Sequence, residues 1–255
     1  MTMLEQITKG KESKPPRILV YGENGIGKSS FAAQAPNAVF IQTENGLGEI
    51  ECAKFPLAQT YDDVLNAIGV LYKENHNYQT LVIDTLDWLE QLIWARVCEK
   101  FNVTCIEKAD GGYAKGYTHA LHYWRQIKEG LDALREQRGM SIIQLAHAKV
   151  EKFDDPESLS YDRYSPRLHK LAAALLCDWN DAVLFATRKF RTQSEDAGFN
   201  RTRTIAVPVG KDGGDRILRT VVSPACIAKN RYGFDPEFPL SWEAVQAGIV
   251  QHMQS

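Results

Sequence analysis

The stretch that most constrains this chain is GENGIGKS, Gly22–Ser29, which fits the pattern G-x-x-x-x-G-K-[ST] at every fixed position. Just upstream, Arg17–Tyr21 reads RILVY, a short apolar, β-branched run that predicts a buried strand. Just downstream, Ser30–Gln34 predicts the start of a helix that Pro36 stops. A strand, a glycine-rich turn and a helix N-terminus aim successive backbone N–H groups at phosphate oxygens. Gly22, Gly25 and Gly27 permit torsions and a close approach that a Cβ would block. The expected cradle is Gly22, Glu23, Asn24, Gly25, Ile26, Gly27, Lys28, Ser29 and Ser30. In it Lys28 reaches the β- and γ-phosphates and the Ser29 hydroxyl ligates Mg²⁺. The pattern therefore implies a bound nucleoside triphosphate with Mg²⁺.

Composition sets the outer limits. With 255 residues, 44% hydrophobic and 24% charged, the chain reads as an ordinary globular protein able to bury a sizeable core. A net charge of -2 gives no global pull toward nucleic acid, so such a partner has to come from local patches. Five cysteines, scattered and never spaced C-x-x-C, suit a reducing cytosol better than a disulfide framework or a zinc site. His119 and His122 share a helix face without an evident carboxylate or thiol partner and read as surface or packing residues. No N-terminal apolar segment suggests a signal peptide, and the longest aliphatic run, Leu171–Cys177, is too short to span a bilayer. A soluble, cytoplasmic protein with no membrane partner is expected.

Taken in order, residues 1–16 form a polar lead-in with Lys9, Lys11, Glu12 and Lys14 before Pro15-Pro16. Strands are expected at Arg17–Tyr21, Ala38–Gln42, Leu81–Ile83, Ser141–Ala146 and Asp181–Thr187. Helices are expected at Tyr61–Asn75, Trp88–Phe101, His119–Arg138, Leu168–Cys177 and Trp242–Ile249. Residues 104–118 and 148–167 read as loops, the second broken by Pro156 and Pro166. Thr202–Val209 and Arg216–Ser223, joined by the turn Gly210–Gly214, read as a β-hairpin. Apolar strands alternating with helices predict the α/β class, a mostly parallel central sheet covered by helices on both faces, with the antiparallel hairpin near the C-terminus. Residues 17–255 are expected to form one domain, with a tail at 224–255.

Hydrolysis of a triphosphate needs a second metal-side carboxylate and a base that orients water. Asp84 ends the run LVID, and the carboxyl ends of parallel strands face the ligand, so it is the expected second metal group. The next residue is Thr85 rather than a glutamate, which moves the base elsewhere. Glu44, following the strand FIQ on a glycine-bounded loop, is well placed if that strand lies beside the phosphate-loop strand. His147 ends the strand IIQLA, where a polar side chain can sense the γ-phosphate and pass its presence to the following loop.

The order VYGENGIGKSS, FIQTENG, LVIDT and QLAH resembles the RecA-type core of P-loop ATPases. The tail segment AKNRYG, with Lys229 and Arg231, looks like the K-x-R finger of hexameric helicases and related RecA-core proteins. From about Arg17 to Trp242 the chain most resembles phage AAA-type ATP-binding proteins, including the Sak-type single-strand annealing proteins. The resemblance implies ATP and Mg²⁺, a ring or filament of identical chains, and Lys229 and Arg231 reaching a neighbour's nucleotide. It further implies single-stranded DNA as partner, and a single-strand-binding protein as a further one. The resemblance implies action on single-stranded DNA in phage recombination or annealing; no N-terminal polymerisation domain and no primase-interacting domain is evident, which puts strand exchange and translocation in doubt.

By the same resemblance the two loops flanking the fourth strand contact DNA. The first offers Lys108, Tyr113, Lys115 and Tyr117, cations interleaved with aromatics as single-strand grips require. The second offers Lys149, Lys152 and Arg163 beside Tyr161 and Tyr164, but also Glu151, Asp154, Asp155, Glu157 and Asp162. A second reading is a nucleotide-switched loader or regulatory protein that changes partner affinity without acting on DNA. A small-molecule kinase lacks support because no arginine-rich lid is evident, and a GTPase because no N-K-x-D motif is present.

Overall fold

In the computed structural model the described residues are 3–10, 14–156, 159–196, 202–210 and 213–254. Lys11, Glu12 and Glu157, named above, and Lys211 and Asp212 of the expected turn lie outside them. The strands are β1 (Arg17–Gly22), β2 (Ala38–Gln42), β3 (Ala53–Lys54), β4 (Thr80–Asp84), β5 (Ser141–Phe153), β6 (Tyr161–Pro166), β7 (Ala182–Arg188), β8 (Phe190–Asp196), β9 (Thr202–Pro208), β10 (Arg216–Arg219), β11 (Lys229–Asn230) and β12 (Glu237–Pro239). The α-helices are α1 (Lys28–Ala33), α2 (Tyr61–Lys73), α3 (Leu86–Phe101), α4 (Lys115–Arg138), α5 (Lys170–Trp179) and α6 (Trp242–Gln254).

The main sheet runs β12-β10-β7-β1-β5-β4-β2-β3. From β7 through β3 every pairing is parallel, while β10, β11 and β12 add antiparallel strands at the β7 side. Side chains alternate along each central strand, which splits the apolar residues into two cores. Leu19 and Tyr21 of β1, with Leu81, Ile83 and Ile142, pack under α2, α3, α4 and α5. Ile18 and Val20, with Val82, Ile143 and Leu145, pack against Phe31 of α1 and Trp242 and Val245 of α6. The expected α/β class with helices on both faces is what these cores require.

Three segments differ from expectation. Residues 148–167 are not a loop: β5 continues beyond the sheet and pairs antiparallel with β6. Charged alternation hides this ribbon in the sequence, yet the same charges hold it together. Glu151 lies opposite Arg163 and bonds it at 3.2 Å, and Phe153 faces Tyr161 across the pair. Residues 104–118 contain a 3₁₀ turn, Ile106–Gly111, and α4 already starts at Lys115. At Gly116, in the first turn of α4, a Cβ would lie 2.0 Å from the Ile106 carbonyl oxygen. The glycine lets the turn dock on the helix. Finally, β9 pairs with β8, not with Arg216–Ser223, and β10 instead crosses onto β7.

Far from the phosphate loop, at the starting ends of β1 and β7, Asp181 gathers Arg17 (2.8 Å), Arg135 (3.1 Å) and Arg231 (3.3 Å). Burial works against its ionisation, but the bond and charge of Arg17, joined by Arg135, hold the carboxyl below its ordinary range. Glu90 of α3 sits in the opposite situation. It is buried and accepts the His169 N–H that opens α5, yet burial pushes its carboxyl from 4.5 up to about 7. The His169 bond and Lys149 act in the lowering direction, and Asp87 adds to the rise. A raised carboxyl makes the folded chain bind more protons than the unfolded one between these two values. The associated stability is complete below about pH 4.5 and is lost as pH rises through about 7, worth at most about 3 kcal/mol. Glu90→Gln is therefore expected to raise the melting temperature by a few degrees at pH 8 and not at pH 5, read from thermal melts at both.

Candidate active site

A cleft of about 350 Å³ opens at the carboxyl ends of β1, β4 and β5. Its wall includes Asn24, Gly27, Lys28, Ser29, Glu44, Asp84, Thr85, His147 and Arg216. The loop between β1 and α1 turns through left-handed torsions at Gly25 (φ 72°) and Gly27 (φ 107°), which glycine adopts without penalty. Gly22 meets β7 so closely that a Cβ would stand 2.3 Å from the Ala186 carbonyl oxygen. The three glycines of the motif thus set the loop's path.

Lys28 is buried and turns back over the loop, donating to the Gly22 (3.1 Å) and Glu23 (2.9 Å) carbonyl oxygens. Burial lowers its pKa, with Asp84, Asp87 and Glu44 pulling the other way. The Ser29 hydroxyl donates to Asp84 Oδ2 at 2.6 Å. Burial raises the Asp84 carboxyl, reinforced by nearby Glu44 and opposed by Ser29, Lys28 and His147. A hydroxyl and a desolvated carboxylate held this close form a hard oxygen pair, the donor set that suits Mg²⁺. The residues present fit the ion, which would supply positive charge against the phosphate oxygens.

Glu44 reaches the cleft by a route other than the one expected. Its strand β2 does not lie beside β1; β5 and β4 stand between them. The loop after β2 instead folds over the end of β4, where the Thr43 and Glu44 N–H groups point at the Asp84 carbonyl oxygen (2.8 and 3.4 Å). Thr43 and Thr85 clasp each other through hydroxyl and backbone. Glu44 then accepts from the Thr85 hydroxyl at 3.2 Å and faces His147 Nε2 at 3.9 Å. Thr85, which stands where a glutamate base was absent from the sequence, bonds the Glu44 carboxylate.

Two residues behind His147 carry no signature in the sequence. Asp87, in the first turn of α3, accepts the His147 backbone N–H at 3.0 Å and Nδ1 at 2.9 Å. Arg167, just beyond β6, donates to Asp87 Oδ2 at 2.6 Å and lies 3.1 Å from Nδ1. Burial alone would raise the Asp87 carboxyl, but these bonds hold it far below the ordinary range. Asp87 fixes Nδ1 as donor and leaves Nε2 turned to Glu44.

Arg216 also escaped sequence reading, because it was placed in a hairpin arm. As the first residue of β10 it is brought beside β7 by antiparallel pairing with Arg188. Its guanidinium extends to 2.9 Å from where a Cβ on Gly27 would be. Among the described residues it has no side-chain partner.

Lys229 and Arg231 are not brought to this cleft. Lys229 pairs with Val183 at the start of β7, and its ammonium donates to the Cys177 and Asp178 carbonyl oxygens that end α5. Arg231 joins the Asp181 cluster with its side chain 56% exposed. The expected DNA residues are also distributed differently. Lys115 and Tyr117 are in α4, Tyr117 stacked flat on His169 at 4.0 Å. Lys149 donates to the Leu168 carbonyl oxygen, Lys152 pairs with Asp154, and Arg163 pairs with Glu151. Tyr113 is fully open to solvent, and Lys108 lies in the adjoining 3₁₀ turn. His119 is paired with Asp110.

The sequence profile of the AAA domain family AAA_24 matches residues 14–232, a span that includes every cleft residue above. The chain belongs to that AAA family. Its fold is a RecA-like P-loop fold, that of AAA-type P-loop ATPases. The chain is also similar to the SPbeta prophage-derived uncharacterized protein YorG of Bacillus subtilis (strain 168), 24% identical over 183 residues. That match covers 70% of this chain and 52% of YorG, so the chain spans about half of that relative's length. Among the described residues no helix is long and apolar enough to cross a membrane.

Proposed function

We propose that this AAA-family chain hydrolyses ATP with Glu44 as the base and acts on single-stranded DNA in phage recombination or annealing, as an assembly of identical chains. The observation that carries the hydrolytic part is the convergence of Lys28, Ser29, Asp84, Glu44 and His147 from four separate segments on one cleft. Lys28 holds the terminal phosphates, and Ser29 with Asp84 would hold Mg²⁺. Glu44 orients a water and takes its proton while His147 Nε2, 3.9 Å away, faces the same carboxylate. Arg216 adds a positive charge beside Gly27 from within the same chain, where it meets the triphosphate. Lys229 and Arg231 would serve a neighbour's cleft in trans, and the exposure of Arg231 supports that part.

The DNA part is supported by the motif order, by the prophage origin of YorG, and by an exposed Tyr113 beside Lys108. One observation favours the reading as a nucleotide-switched loader instead: the ribbon cations Lys149, Lys152 and Arg163 already face carboxylates of their own chain. ATP turnover with and without a single-stranded oligonucleotide, alongside solution mass with and without ATP·Mg²⁺, separates the two. Stimulation and a mass increase are expected; unchanged turnover with no binding at low salt would favour the loader.

A further inference from the structure

A second cavity of about 410 Å³ is lined by Asp87 and Arg167, the two residues that hold His147. Its wall includes Trp88, Trp94, Leu168 and His169, and two cations stand on its lining: Lys149, bonded to the Leu168 carbonyl oxygen and 3.7 Å from Glu151, and Arg167, paired with Asp87. Trp88 leaves 47% of its surface open, unusual for the largest apolar side chain. The His169 ring is fixed by stacking on Tyr117 with planes 4° apart, and Trp94 meets that tyrosine edge-on at 5.5 Å. Rigid aromatic faces beside positive groups match a planar base joined to a phosphate. On the same wall the Glu90 carboxyl, pushed up to about 7 by burial, is about half ionised at neutral pH, and Asp87 carries a full negative charge that Arg167 offsets.

The cavity shares two residues with the relay behind the cleft. Asp87 and Arg167 line it, and both touch His147. We infer that this cavity takes one nucleotide of a single-stranded DNA, the base on Trp88 and its phosphate on Arg167 and Lys149, and that occupancy reaches Glu44 through Arg167, Asp87 and His147. The inference rests on the DNA reading above and gives it a site and a path. A phosphate competes with Asp87 for the Arg167 guanidinium, whose side chain is 48% exposed. Asp87 then keeps only its two bonds to His147. The imidazole is 3.9 Å from Glu44, about 1 Å beyond hydrogen-bond length, so a small rotation makes or breaks that contact.

The test uses the full chain and a 20-nucleotide oligo(dT), reading tryptophan emission and ATP turnover together. Oligo(dT) is expected to quench wild-type emission and raise its turnover. Trp88→Ala should raise the half-saturating oligonucleotide concentration about tenfold or more, and Trp88→Phe should restore most of it, because any aromatic face stacks. Arg167→Gln should still quench, at a higher oligonucleotide concentration because a phosphate contact is lost, while turnover at saturation stops responding, which a merely structural role for Arg167 would not produce. If wild-type turnover rises but Trp88→Ala and Trp88→Phe both saturate like wild type, the site is wrong and the ATPase–DNA reading stands. If wild type shows neither quenching nor stimulation, the DNA reading falls and this inference with it.

Discussion

Lys28→Ala is expected to lower ATP turnover by about a thousandfold or more and to remove most nucleotide affinity. The ammonium is the one cation buried in the phosphate loop, and its two partners are loop carbonyl oxygens that a triphosphate would replace. Alanine suits the first position of α1, and the loop's path is set by its glycines, so the fold should survive. Burial already disfavours the charged form of Lys28, and removing it relieves that desolvation cost. Melting temperature should therefore hold or rise while activity disappears. Phosphate release and a thermal melt on the same preparation check both halves; near-normal turnover would remove the phosphate-loop assignment.

Arg216→Ala is expected to lower turnover by about a hundredfold or more, with the fold retained because the guanidinium has no partner among the described residues. The decisive feature is that Arg216 and Lys28 serve one cleft on one chain. Mixing Arg216→Ala with Lys28→Ala chains should restore nothing, since neither supplies a complete site. Mixing Arg231→Ala with Lys28→Ala chains should restore part of the activity, because a wild-type Arg231 then faces an intact cleft. Recovery in the first mixture would place Arg216 in trans, and none at any ratio in the second would confine Arg231 to bracing Asp181.

What the sequence made legible was local. GENGIGKS, its strand and its helix are contiguous, and eight residues carry both the pattern and the reason for it. Asp84 was legible because strand ends point at the ligand in a parallel sheet, and His147 because it is where β5 leaves that sheet, although the strand itself runs on to Phe153. Glu44 lines the cleft by a route the sequence did not show: it arrives over β4, not from a strand beside β1. Arg216, Asp87 and Arg167 were illegible because each owes its position to a pairing distant in sequence. Arg216 depends on β10 choosing β7 rather than β9, a choice that Leu218 settles by burying itself beside Ala186. The β5–β6 ribbon was hidden because its alternation is charge on charge, with little apolar signal. Its cross-strand ion pair and the Phe153–Tyr161 contact supply what hydrophobic periodicity did not.

The most direct test of Glu44 as the base is to compare Glu44→Gln with wild type in two readings: binding of ATP·Mg²⁺ and phosphate release in a single turnover. The amide keeps the size of the side chain and its bond from Thr85 but cannot take a proton from water. Binding within a few-fold of wild type and turnover lowered by about a hundredfold or more are expected. Turnover equal to wild type, or loss of binding in step with loss of turnover, would contradict the assignment.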